Sequence, residues 1–359
     1  MQHWRLVADE RVSRSPKGLN DFDEDCRMLN RRDLLGGAGA LAGVAATGSV
    51  AAAKENRAPT FETESHFIGG KSMSGNIIDF RVRPPFRSFR SAFHATKDPT
   101  KTDDELMESF LAEMDAAGIS LGIAEGRTVK TVNARGTNIV GGNVSNDDVA
   151  ALVKRYPGHF IGFGSVDVTN PTEALQEIAR CADLGFKGIA FYNPVQSPAL
   201  YDDDSALMPI YEECAKRGFV ASITSSVMVG PDMSYSMPVH IQRVGLTFPE
   251  LKIVVPHACW PWTTQIIGVL LQGVLFNASQ VYIIPDFYLS QVGLPGREDY
   301  IAVAEDAGNF GLGQRILFAS SYPALEMEAS VKVIQNTKFS KPAVYAALFR
   351  ENAKRVLGL

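Results

Sequence analysis

The chain has little cysteine, no surplus of basic charge and no nucleotide-binding glycine loop. Four cysteines in 359 residues are too few for a disulfide scaffold. Acidic residues outnumber basic ones, 40 to 35, and the net charge of −5 gives no footprint for nucleic acid. Neither G-x-G-x-x-G nor a Walker loop appears, which argues against a dinucleotide fold and a P-loop enzyme. Glycine (31) and proline (19) are too few for a collagen-like or low-complexity chain. What remains is ordinary globular composition, 45% hydrophobic and 21% charged, which excludes a wholly disordered protein.

The first 53 residues read as a segment apart from the fold. Residues 1–33 are polar and charged, and Leu34–Ala53 is a mild apolar run of small residues. Arg31-Arg32 stands just before that run, and Ala51-Ala52-Ala53 closes it. A charged region, an apolar region and a small-residue end in this order make a signal peptide. The paired arginines resemble a twin-arginine export signal. Residues 1–53 are therefore expected to engage the export machinery and be removed, leaving no stable membrane span. The expected location is periplasmic or otherwise extracytoplasmic. Residues 54–75 read as a linker. Removing the leader removes Cys26 and leaves Cys181, Cys214 and Cys259, an odd number that requires no disulfide.

From residue 76 onward, short apolar runs alternate with helical periodicities. The runs are Ile77–Phe80, Ile119–Ala124, Phe160–Val166, Gly188–Tyr192, Phe219–Thr224, Leu251–Val255, Val281–Ile284 and Arg315–Ala319. Helices are expected over residues 103–117, 146–156, 171–184, 207–217, 239–248, 263–275 and 299–310. Thr102 and Glu105 have the spacing of a capping box. Two further helices, about residues 326–335 and 342–357, end the chain. Eight strands joined by crossover helices predict an α/β fold, a single (β/α)8 TIM-like barrel over residues 76–359 with extra C-terminal helices. The apolar helix around Ile266–Phe276 suits a core or a homo-oligomer interface.

In such a barrel the functional site lies at the C-terminal ends of the strands. That rule selects Arg81, Arg83, Glu125, Arg127, Asp167, Tyr192, Asn193, Thr224, Ser225, Ser226, His257, Asp286, Ser320 and Ser321. Arg81 and Arg83 are two residues apart on a strand and share a face. They are either an anion clamp or internal salt-bridge partners of Asp79, Glu125 or Asp286. His257 and Asp286 are candidate acids or bases. Trp260 and Tyr192, with Trp262, Phe191, Phe287 and Tyr288, offer aromatic walls, or else ordinary packing. The serines at 222–226 and 320–321 lack a G-x-S-x-G setting, which disfavours a serine nucleophile. Cys259 suits a structural thiol better than a partner for His257.

Several segments, in order, resemble the amidohydrolase superfamily in its amidohydrolase-related branch. Ile78-Asp79-Phe80-Arg81-Val82-Arg83-Pro84 looks like that branch's first strand. Gly185-Phe186-Lys187-Gly188-Ile189 looks like its fourth and brings Lys187 in as a substrate-binding candidate. Residues 248–257, ending at His257, look like the sixth. Residues 315–323, through Ser321, look like the eighth. The ending Phe349–Leu357 fits the terminal helix.

The resemblance implies metal-dependent chemistry with His-x-His on the first strand, a His on the fifth, a His on the sixth and an Asp on the eighth. Here those positions read Arg81 and Arg83, about Thr224, His257 and Ser321. A guanidinium has no lone pair to offer, and one His does not hold zinc. No catalytic metal and no cofactor are expected. The expected function is a metal-independent hydrolase acting on a small carboxylated, cyclic or aromatic substrate. The alternatives are a decarboxylase- or hydratase-type lyase of the same branch, or a catalytically silent binding barrel.

Overall fold

A computed structural model describes residues 67–68, 71–72, 76–94, 100–129, 142–285, 296–306 and 310–359. Inside the stretch read as a linker, Phe67–Ile68 pairs antiparallel with Lys71–Ser72. The intervening Gly69-Gly70 is a sequence suited to a two-residue hairpin.

Seven parallel strands follow in chain order: β1 Ile77–Val82, β2 Ile119–Glu125, β3 Phe160–Ser165, β4 Gly188–Phe191, β5 Val220–Ile223, β6 Lys252–Pro256 and β7 Gln280–Ile284. Each pairs with the next, and helices cross over between them. Their near-continuous burial is what a parallel sheet covered on both faces requires.

The eighth expected strand becomes a bridging segment. Leu317 donates to the Ile283 carbonyl (2.9 Å), and Phe80 donates to the Phe318 carbonyl (2.9 Å). Residues 316–318 thus touch both edges of the sheet. The ladder ends there because the following amides are drawn elsewhere. Phe318 donates to Leu348 (3.2 Å), and Ser320 donates to the Asp79 carboxylate (3.1 Å). The result is the expected α/β, TIM-like architecture.

Two apolar layers hold it. One lies between strands and helices, with Met107, Phe110, Ile178, Tyr211 and Ile266 among its members. The other fills the interior with Ile78, Phe80, Ile123, Phe163, Val254 and Leu317, joined by Val356 and Leu357 from the C-terminal helix Asn352–Leu357. Lys252, which opens β6, reaches the Val356 carbonyl at 2.9 Å. The terminal helix therefore packs at the strands' N-terminal ends and leaves the opposite mouth for chemistry. The expected helix over 342–357 is broken by a wide turn, Ala347–Glu351, whose Leu348 carbonyl accepts the Phe318 amide.

The capping box at Thr102 and Glu105 forms and starts the helix Asp103–Ala116. Its buried face includes Met107, with Phe110 and Met114. A helix not expected from the sequence, Arg87–Phe93, sits in the loop after β1. Among the described residues, no helix is long and apolar enough to cross a membrane.

Candidate functional site

Arg81 organises the mouth of the barrel. Its register explains how it gets there. Phe80 belongs to the interior layer, and strict alternation would turn Arg81 outward. The pairing of β1 with β2 slips between Asp79 and Val82. Such an irregularity re-aims the next side chain, and Arg81 also faces inward.

Its guanidinium meets residues from four other strand ends. Nε lies 3.3 Å from Oε2 of Glu125, the last residue of β2. Nη1 lies 2.9 Å from Nε2 of His257, which follows β6. Nη2 donates to the Tyr192 hydroxyl (3.4 Å) and to Oγ1 of Thr224 (3.5 Å), which follow β4 and β5. Arg81 is only 4% exposed and Glu125 6%, so this is a buried ion pair with side-chain hydrogen bonds around it. A guanidinium can only donate. Nε2 of His257 is therefore the acceptor, and in this state the imidazole carries its proton on Nδ1.

Glu125 is held from behind. The Ser222 hydroxyl, on β5, donates to its Oε1 at 2.5 Å. Ser222 is thus a donor to the carboxylate. Asp79, expected as a side-chain partner of the arginines, takes a different role. Its Oδ1 accepts the backbone amides of Arg81 (3.0 Å) and Ser320 (3.1 Å) and ties the two edges of the barrel together. Burial raises its pKa to about 6, against the opposing effect of these bonds.

Two more arginines stand beside Arg81. Arg83 donates to the carbonyls of Ser321 (3.4 Å) and Tyr322 (3.2 Å). Arg83 and Arg127 both lie against the ring of Phe93, at 4.8 Å and 5.4 Å. Arg127 also lies 5.4 Å from the Tyr192 ring. Burial pushes the Arg83 pKa down to about 10, with repulsion from Arg81 and Arg127 acting the same way. Arg127 is lowered by burial and by Arg81, with Tyr192 opposing. This concentration of positive charge is what an incoming carboxylate would relieve.

The backbone at His257 is unusual. His257, Ala258 and Cys259 have φ of 67°, 47° and 52°. Three successive non-glycine residues in the left-handed region store strain of a kind that clusters at functional sites. Ser321 is also left-handed, with φ 60°.

The site thus gathers Arg81, Arg83, Glu125, Arg127, Tyr192, Thr224 and His257, with Ser321 contributing its carbonyl. Trp260 stands at the edge, where its amide closes back on the His257 carbonyl at 2.8 Å. Lys187 does not join them. It precedes β4 at the opposite end of the strand and is exposed. Asp286, Phe287 and Tyr288 lie outside the described residues. Phe191 packs outward on Tyr211 (5.0 Å) and lines no mouth. Trp262 binds Ser236 through its indole N–H (3.2 Å). Cys259 is buried, with its pKa pushed up to about 12 by desolvation, and is a packed thiol. Phe93 was missed by sequence reasoning, because its ring reaches the mouth only through the unexpected helix after β1.

Comparison with known proteins places this arrangement in a family. A model of the Amidohydrolase family (Amidohydro_2) matches residues 78–359, and the chain belongs to that family. An uncharacterised TIM-barrel protein, Bb4693 from Bordetella bronchiseptica, is 32% identical with a TM-score of 0.67. That match covers 79% of this chain and 98% of the other. A 2-amino-3-carboxymuconate-6-semialdehyde decarboxylase from Dictyostelium discoideum is 40% identical over 88 residues. The match spans 24% of each chain, so only about a quarter of that relative's length is covered.

Two solved decarboxylases share the fold. A 2,6-dihydroxybenzoate decarboxylase from Rhizobium is 17% identical, with a TM-score of 0.53 over 79% of this chain and 99% of that one. A 5-carboxyvanillate decarboxylase from Novosphingobium aromaticivorans, complexed with manganese and 4-hydroxy-3-methoxy-5-nitrobenzoic acid, is 20% identical. Its TM-score is 0.53 over 80% of this chain and 97% of that one. These relatives overturn the expectation of a hydrolase, because the activities they carry are decarboxylations, which are lyase reactions.

Manganese does not fit the residues gathered here. Nε2 of His257 and Oε2 of Glu125, the nearest donors, are both turned to Arg81. The guanidiniums of Arg81, Arg83 and Arg127 offer no lone pair and repel a cation. Among the described residues, no three His, Cys, Asp or Glu side chains converge.

Proposed function

We propose that this protein is a decarboxylase acting on a small aromatic or conjugated carboxylic acid. The observation that carries the reading is the part-buried contact of Arg81 with His257, beside Arg83 and Arg127. It puts a carboxylate clamp and a proton-carrying group at one point. The decarboxylase relatives supply the reaction class.

The chemistry follows from what each group can do. The substrate carboxylate takes the Nη1 and Nη2 donors of Arg81, and this frees Nε2 of His257 from the guanidinium. The imidazole then takes up a proton from solvent water at Nε2 and delivers it to the ring carbon that bears the carboxylate. The bond from that carbon to the carboxyl carbon breaks, its electron pair returns to the ring, and carbon dioxide leaves. Glu125, fixed by Ser222, holds Arg81 in place while the substrate's charge changes. Tyr192 and Phe93 face the flat body of the substrate. Among the described residues no donor set fits a metal, so the charge of the carboxylate falls to Arg81.

The test is carbon dioxide release from a panel of hydroxylated benzoates and unsaturated carboxylic acids. Release from at least one acid supports the proposal. Acids that bind and come back unchanged, or that hydrolyse, would refute it.

We further propose that residues 1–53 act as an export leader. Arg31-Arg32 ahead of the apolar run Leu34–Ala53 supports this reading. Replacing both arginines by lysine should keep the chain in the cytoplasm on cell fractionation. Unchanged export would refute it.

A further inference from the structure

A second polar cluster lies behind the site. Asp202, Asn193 and Ser225 are each 0% exposed. Nδ2 of Asn193 donates to Oδ1 of Asp202 (2.9 Å) and to the Tyr211 hydroxyl (3.0 Å). The Ser225 hydroxyl neighbours both the Asp202 carboxyl and the Cys259 thiol. Oδ2 of Asp202, Oδ1 of Asn193 and Oγ of Ser225 are buried without a hydrogen bond of ordinary length. Buried polar groups of this kind call for an explanation.

The sequence positions supply one. Asn193 follows Tyr192, Ser225 follows Thr224, and Cys259 lies two residues beyond His257. The side chains of Tyr192, Thr224 and His257 converge on Arg81 from inside the barrel. Those of Asn193, Ser225 and Cys259 converge on Asp202 from outside. The Ser225 backbone also straps the His257 segment. Its amide donates to the Pro256 carbonyl (3.3 Å), and its carbonyl accepts the Cys259 amide (3.0 Å). Between those two bonds lies the left-handed run His257–Cys259, which needs outside support to persist.

We propose that Asp202 is a positioning residue: its buried carboxyl links the segments after β4, β5 and β6 and so sets the reach of Tyr192, Thr224 and His257 around Arg81. Protonated, the carboxyl can donate to Oγ of Ser225, whose own hydrogen is then left for Sγ of Cys259. Burial raises the Asp202 pKa to about 7, with Asp203 adding to the rise and Asn193 and Ser225 opposing it. The other titratable groups nearby hold their charge state near neutral pH. Tyr211 and Cys259 are pushed upward by burial. Asp203 is held low by its bonds to Arg243 (2.8 Å) and His240 (2.6 Å), against burial. The His240 ring faces Asp203, and a His240→Gln control separates any contribution of that ring from that of Asp202.

The inference concerns the geometry of the site and stands whether or not the reaction is decarboxylation. Its test is therefore spectroscopic. The ring resonances of His257 in the full chain, labelled with ¹⁵N and assigned by their loss in His257→Gln, are followed from pH 5 to 9. Parent protein and Asp202→Asn should give matching spectra below about pH 7, since asparagine resembles the protonated acid. Above that pH the parent signals should part from those of Asp202→Asn, any response of the imidazole itself being common to both. Asp202→Ala should displace them at every pH. The proposal is overturned if Asp202→Asn drifts like the parent, or if folded Asp202→Ala reproduces the parent spectrum. Should Asp202→Ala fail to fold, the Asp202→Asn comparison decides alone.

Discussion

Arg81 is a charge moved out of water and then surrounded. Its ion pair with Glu125 recovers part of that desolvation cost, and the contacts with His257, Tyr192 and Thr224 fix its direction. His257 contributes a ring that accepts from Arg81 in the resting state and becomes available when a carboxylate replaces it. Asparagine tolerates the left-handed backbone at this position and cannot supply a proton. His257→Asn should therefore remain folded and lose about 10²- to 10⁴-fold in turnover, measured as initial rates of carbon dioxide release. An unchanged rate would remove His257 from the chemistry.

Asp79 carries a pH signature of its own. Its folded-state pKa of about 6 lies above the ordinary carboxyl value. Between the two values the folded chain holds more protons than the unfolded one. The stability this residue contributes is then complete below about pH 4 and is lost as pH rises through 6. Asp79→Asn should remove that slope. The melting temperature of the variant relative to the parent should climb between pH 4 and 6 and level off above. A difference that stays constant over this range would contradict the assignment.

At the scale of elements, much of the fold is legible because its signals are local. Thr102 and Glu105 announce a helix start, and both halves of the capping box form. Thr102→Ala should cost about 0.5–2 kcal/mol of stability in denaturant unfolding, without altering the site. A loss beyond that range would mean Thr102 does more than cap. The strand-end rule, applied to the same periodicities, finds Arg81, Glu125, Tyr192, Thr224 and His257. Lys187 comes not from that rule but from the family resemblance, and it lies at the other end of its strand. Other features depend on tertiary contacts that no local pattern carries. The register slip that turns Arg81 inward is one, and the left-handed run at His257 is another. The helix Arg87–Phe93, which delivers Phe93 to the arginines, is a third. The bridging segment 316–318 reads as a strand because its residues are apolar, but the Phe318 amide goes to Leu348, and just beyond it the Ser320 amide goes to Asp79.

At the scale of the whole molecule, an acidic chain opens its barrel on three arginines. Net charge says nothing of this, because electrostatics at a site depends on which charges converge there. The terminal helix occupies one end of the barrel and leaves the other for chemistry, as the fold class dictates. The family relation fixes the scaffold, and function is argued from the grafted site. In this chain that site has a guanidinium at its centre and, among the described residues, lacks a set of metal donors. The hydrolase expectation rested on the general chemistry of the superfamily. It gave way because the Dictyostelium, Rhizobium and Novosphingobium relatives are decarboxylases.

The central claim is that Arg81 serves as the cation for decarboxylation. The most direct measurement is the rate of carbon dioxide release from an accepted aromatic acid, before and after exhaustive treatment with a chelator, in the parent chain and in Arg81→Met. The parent rate should survive chelation unchanged, and Arg81→Met should be inactive under both conditions. A parent rate that collapses on chelation and returns with manganese would contradict the account.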